Sequence, residues 1–123
     1  MNHDQLIHLV LKKFTALNRL GLDCKFGVHY RHVKERITNR SINVLDVDEA
    51  IRGLLGVCRS QFLPIITQPN PLRPFRIKIR HKNVILSISR RDDDWFLTTV
   101  LDPKKHDLHN NERDTTFEQW IVV

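Results

Sequence analysis

The chain is short of cysteine, glycine and long apolar runs. Cys24 and Cys58 are its only two cysteines, and they form no CxxC pair. A disulfide framework or a cysteine-rich zinc site therefore has no support, and both residues are expected as plain buried thiols. The four glycines build no phosphate-cradling loop. With neither a GxSxG elbow nor a Walker-type lysine, nucleotide hydrolysis and acyl transfer lack a signature. No apolar run approaches the roughly 18 residues that a membrane-spanning helix needs. The opening Met1-Asn2-His3-Asp4 has no basic segment leading into an apolar stretch, so the expected location is cytoplasmic. Neither a repeat nor a low-complexity tract breaks the text. What remains, 41% hydrophobic and 28% charged over 123 residues, is the composition of one folded domain spanning 1–123.

Charge is unevenly spread. The net charge is +6, yet residues 24 to 91 hold fourteen Lys and Arg against four acids, while the last 32 residues are acidic. A concentrated positive field attracts polyanions and speeds their capture without specifying a fold.

Hydrophobic spacing predicts helices first and strands afterwards. Leu6, Ile7, Val10, Leu11, Phe14, Leu17 and Leu20 recur at helical spacing over 4–20, with Asp4 as N-cap and Gly21 just past the end. A second helix is expected over 28–39, burying Tyr30, Val33 and Ile37. A third follows, capped by Asp46 or Asp48 and burying Val47, Ala50, Ile51, Leu54 and Leu55. Pro64, Pro69, Pro71 and Pro74 mark 60–74 as a loop. Then Phe75 to Arg80 alternates apolar and basic residues, and Val84 to Ser89 and Trp95 to Leu101 complete an antiparallel meander. Residues 102–116 read as a loop, and 117–123 as a last strand or packed tail. The fold class expected is α+β, with N-terminal helices packed on a small antiparallel sheet.

Two segments carry chemistry. If Phe75, Ile77 and Ile79 face the helices, then Arg76, Lys78 and Arg80 project from the other face as one exposed basic row, able to follow a phosphate backbone or to guard a sheet edge. In the second helix, His29, His32, Arg36 and Arg40 step by three, four and four, which stacks two imidazoles and two guanidiniums on one side. Histidine exchanges a proton near neutral pH, and arginine grips phosphate oxygens in pairs. Those are the parts of a metal-free ribonuclease: a base for the ribose 2′-OH, an acid for the leaving 5′-oxygen, and a cation for the charged phosphorane.

The pattern His32-x-x-Glu35-Arg36-x-x-x-Arg40-x-Ile42 resembles the His-x-x-Asp-Arg-x-x-x-Arg-x-Ile segment of the bacteriophage RegB endoribonucleases. Phe75-Arg76-Ile77-Lys78-Ile79 and the strand from Trp95 to Val100 are similar to that family's later stretches, and the likeness covers about 24–101. It implies a RelE-like ribonuclease fold and metal-independent mRNA cleavage to a 2′,3′-cyclic phosphate, on mRNA that is free or ribosome-associated. His32 falls on the family's first catalytic histidine and Arg36 on the arginine one turn later. The second catalytic histidine corresponds to Arg52, and a guanidinium with a pKa above about 12 is a poor acid. His29 and His81 are the available substitutes, and Lys78 or Arg80 would stabilise the phosphate.

Neither His29-x-x-His32 nor His106-x-x-His109 has a third ligand to complete a zinc site, and Asp92-Asp93-Asp94 reads as a solvated turn. No metal and no cofactor are therefore expected. Two functions stay open: an endoribonuclease, with His32, His29, His81 and Arg36 as catalytic candidates, or a nucleic-acid-binding, host-regulatory protein. The second would use the same basic face, Arg40, Arg52, Arg76, Lys78 and Arg80, without cutting.

Overall fold

Each predicted apolar stripe finds a partner, and the helices form a layer against one face of a sheet. The computed structural model describes residues 1–69, 72–104 and 118–123. Helix α1 spans His3–Lys12 and is closed at its start by Asn2, whose side chain accepts from Gln5 N–H while Gln5 reaches back to the Asn2 N–H. Asp4, the expected cap, sits instead in the first turn, where its charge suits the helix dipole. The predicted helix over 4–20 tightens into a 3-10 helix at Lys13–Leu20, where the Thr15 hydroxyl donates to Lys12 C=O and competes with the backbone ladder. It ends at Gly21, whose φ of 69° is the left-handed conformation glycine adopts without strain.

A short strand β1, Phe26–Val28, leads into α2, Tyr30–Asn39, and α3, Val44–Gly56. The α3 cap is Asn43, which accepts from Leu45 N–H, rather than Asp46 or Asp48. Asp48 is drawn into ion pairs with Lys13 (2.6 Å) and Arg52 (3.0 Å). Part of the expected loop over 60–74 is helical. A π-turn at Cys58–Phe62 runs into α4, Leu63–Ile66, because Pro64 lies in the first turn, where its missing N–H has no partner to lose, while Phe62, Ile65 and Ile66 are buried.

The strands are β2 Arg76–His81, β3 Val84–Arg91, β4 Asp94–Leu101 and β5 Glu118–Val122, in the sheet order β1-β4-β3-β2-β5. The β2-β3-β4 meander is antiparallel as expected, with turn residues Lys82 and Asp92 at φ 51° and 55°. Both edges, however, pair in parallel, so the sheet is mixed. Each edge strand reaches its place through a long connection, which frees it from the hairpin geometry that enforces antiparallel pairing. Of the expected loop 102–116, residues 105–116 lie outside the described residues, as do Phe117 and His106-x-x-His109.

One face of the sheet, with Ile77, Ile79, Leu86, Ile88, Trp95 and Leu97, joins the helices in the core. Cys58 is buried there as a free thiol, and Cys24 is free but only half-buried. Phe75 is not in that core. It precedes β2, is 53% exposed, and lies under the Arg90 guanidinium at 4.6 Å. Among the described residues no helix is long and apolar enough to cross a membrane.

Ile77 is fully enclosed, so Ile77→Ala is expected to lower unfolding stability by about 2 to 5 kcal/mol through the cavity it leaves. Leu45→Ala, on an exposed part of α3, is expected to change it by less than about 0.5 kcal/mol. Urea denaturation of the two variants checks the assignment of inside and outside.

A candidate nucleic-acid interface on the outer face of the sheet

The outer face collects what the core excludes. In β2 the alternation holds: Ile77 and Ile79 face the helices, while Arg76, Lys78 and Arg80 face away. Beside them β3 presents Ser87 and Ser89 in cross-strand register with Lys78 and Arg76. A bulge between Ser87 and Ile88 pairs Ser87 with Thr99 and Ile88 with Leu97, leaving Thr98 as the extra residue of β4. Thr98 and Thr99 consequently line the same cleft. The Thr98 hydroxyl donates to Ser87 C=O and meets the Ser89 hydroxyl, while Thr99 Oγ1 is buried without a partner among the described residues.

Helix α2 supplies the opposite wall. Val33 and Ile37 anchor it in the core, the His29 N–H bonds Leu97 C=O, and the Arg40 guanidinium donates to Val100 C=O at 2.8 Å. These contacts lay α2 along the half of β4 that short β1 leaves uncovered. His32, Arg36 and Arg40, at i, i+4 and i+8, then face the basic row of β2. The result is a cleft of about 240 Å³ bounded by His32, Arg36, Arg40, Arg76 and Lys78, with the four hydroxyls at its floor. Arg36 Nε–H donates to His32 Nε2 at 3.4 Å.

The cations of the cleft are not equivalent. Lys78 is not exposed as expected: it is 2% exposed and 3.1 Å from Glu118 of β5, itself 6% exposed. Glu118 Oε1 also lies 3.8 Å from Arg76 and has no directional hydrogen bond, so charge holds this contact together. No ion pair among the described residues joins Arg36 or Arg40 to a carboxylate. Burial, and then the neighbouring Arg36, lowers the Arg40 pKa, yet a guanidinium remains charged at neutral pH.

The other expected site residues lie apart. His29 is the N-cap of α2 and does not stack with the rest of the helix face. Its ring tilts against Phe96 at 5.2 Å, with Phe96 packed over Gly27, where a Cβ would come within 2.9 Å of that ring. Burial, followed by Arg91 and His32, lowers the His29 pKa. A shallow pocket beside His32 has His29 on its wall, so both histidines border one open space. His81 has both ring nitrogens engaged, by Val123 C=O at 3.0 Å and by Glu49 at 3.1 Å. Arg52 is turned to Asp48 on α3, and Arg80 is exposed beside Val122 without lining the cleft. Ser87 and Ser89 were readable from period-two spacing, since they alternate with Leu86 and Ile88, whereas Thr98 and Thr99 are adjacent and share the cleft only through the bulge. Glu118 and Trp120 carried no such signal, because the route to β5 is not written in the pattern. No cluster of three metal-ligating side chains occurs among the described residues.

No family model, curated protein or solved structure matches the chain.

The Lys78–Glu118 pair sets a clear expectation. Removing one partner breaks a buried ion pair, so Lys78→Met or Glu118→Leu should each cost about 3 to 5 kcal/mol, whereas the double variant Lys78→Met, Glu118→Leu should cost much less than the sum. Unfolding free energies of the three variants test this. Additive losses would show that the two charges do not depend on each other.

Proposed function

We infer that the chain is a metal-independent endoribonuclease that holds single-stranded RNA in the cleft between α2 and the outer sheet face. The observation that carries the reading is the His32–Arg36 contact in a cleft whose opposite wall brings Arg76 and Lys78 from a different part of the chain. The RegB-like spacing around His32 supports it as well. A phosphate entering the cleft takes the Arg36 N–H for itself and frees His32 Nε2. That nitrogen accepts the proton of the 2′-OH, O2′ attacks phosphorus, and the P–O5′ bond breaks as O5′ takes a proton from an acid. Arg36 and Arg40 offset the charge that builds on the phosphorane. With His81 and Arg52 engaged elsewhere, the acid is His29. Products are a 2′,3′-cyclic phosphate and a 5′-hydroxyl, and the natural setting is cytoplasmic mRNA, free or on the ribosome.

Purified protein with a long RNA in EDTA is expected to yield cyclic-phosphate ends. His32→Ala and His29→Ala should each cut the rate by about two to four orders of magnitude with little change in RNA affinity. His81→Ala should melt earlier yet cleave normally. An unchanged rate in His32→Ala would sink the assignment. A wild type that binds but does not cut would favour the second reading, a nucleic-acid-binding regulator. The observation on its side is that no second histidine reaches the cleft itself.

Binding has its own signature. Lys78 and Arg76 share Glu118 and Arg80 lies outside, so about two free cations, Arg36 and Arg40, meet phosphates. The slope of log K against log salt on single strands should be about −1.4. Titration from low to moderate salt decides, and a flat line would remove nucleic acid as the ligand.

The pH dependence follows from His29. To act as acid it has to be protonated, and its pKa lies below the ordinary 6.5. The protonated fraction, and with it the rate, therefore falls as pH rises through that lowered value. Arg91→Gln removes one of the causes and should move this limb of the profile to higher pH. A limb that stays in place would separate His29 from the acid role.

A further inference from the structure

Trp120 is 41% exposed, and the only other tryptophan, Trp95, is completely buried. An exposed indole on its own is unremarkable, but this one is held in place and stands next to the cleft. Its Nε1–H donates to Glu118 Oε2 at 3.2 Å, and Lys78 Nζ lies over the ring at 5.3 Å. Across the sheet, Trp120, Lys78, Ser87 and Thr99 follow one another in register on four adjacent strands. The indole is therefore one strand spacing, about 4.8 Å, from the cleft wall. The same Glu118 carboxylate that binds the indole also neutralises Lys78, so the ring borders the basic wall of the cleft and is tied to it.

We propose that Trp120 is a nucleobase-stacking platform, and that the cleft accepts single-stranded RNA with an unpaired base laid on this indole. The proposal rests on the RNA reading given above and names its substrate class. A cationic track beside an exposed aromatic ring is the arrangement that binds single strands with little regard to sequence, since every base has a π-face. In a duplex the bases are already stacked inside, and the ring finds nothing to cover.

Trp120 also provides the test, because Trp95 is shielded and the fluorescence response belongs to Trp120. A single-stranded 2′-O-methyl oligonucleotide, which cannot be cut, is titrated while binding is followed independently by anisotropy. Tryptophan emission should be quenched in step with binding, and a duplex of the same sequence should quench far less. Inorganic tripolyphosphate, which has no base, should displace the strand and restore emission. Trp120→Leu should weaken single-strand binding by about 5- to 100-fold, while Trp120→Phe, which keeps a ring without the N–H, should stay within about threefold of wild type. Equal losses in the two variants would assign the effect to the Glu118 hydrogen bond and overturn the stacking proposal. Binding without quenching, and unaffected by Trp120→Leu, would overturn it while leaving the RNA reading intact. Failure of every RNA to bind would overturn both.

Discussion

A lysine closed off from water in the middle of a sheet is the constraint around which the outer face is arranged. Lys78 sits on β2, the strand between β3 and β5. Its neighbours Ile77 and Ile79 are fixed in the core, so the pleat sends Lys78 to the opposite face whatever is there. Once β5 pairs with β2, that position is covered, and a buried ammonium without a partner would cost several kcal/mol. Glu118 answers it from the strand that does the covering. The ion pair thus also specifies register: sliding β5 by one residue would turn Glu118 to the other face and leave Lys78 unpaired. Arg76 and Trp120 inherit their positions from the same carboxylate.

Most of the fold could be read from the sequence because its signals are local. The 3.6-residue stripes of α1 to α3, the period-two run from Arg76, and the turn at Lys82 each depend on neighbours a few residues away. The misses share the opposite property. Thr15 tightening the first helix, Asn43 displacing Asp46 as a cap, and Pro64 starting a helix instead of ending one were settled by short-range hydrogen bonds that hydrophobic spacing does not report. The parallel edges depend on where long connections land. At the site, His32, Arg36 and Arg40 were legible as one face and Arg76 with Lys78 as another. That the two faces meet was not, since only the shortness of β1 lets α2 lie along β4. His29 was placed in the wrong company because a helix begun at 28 stacks it on His32, whereas the helix begins at Tyr30.

The withdrawal of His29 from that stack has a chemical side. On the helix it would stand one turn before His32 and put a second imidazole beside the two guanidiniums. As the N-cap it leans on Phe96, which can approach because Gly27 has no side chain. It then borders the pocket next to His32 rather than the cleft.

How the cleft keeps its free charge is a question of where the cations find their support. Arg36 and Arg40 stand in the last turn and at the C-cap of α2, where the unpaired carbonyls favour positive charge. Arg40 has a further carbonyl, that of Val100, as its fixed partner. Carbonyl dipoles hold a guanidinium without cancelling it, whereas a carboxylate would. Lys78 shows the contrast, since Glu118 supports it and silences it together. The fold therefore divides its buried-side cations into one that builds the sheet and two that keep an uncompensated field.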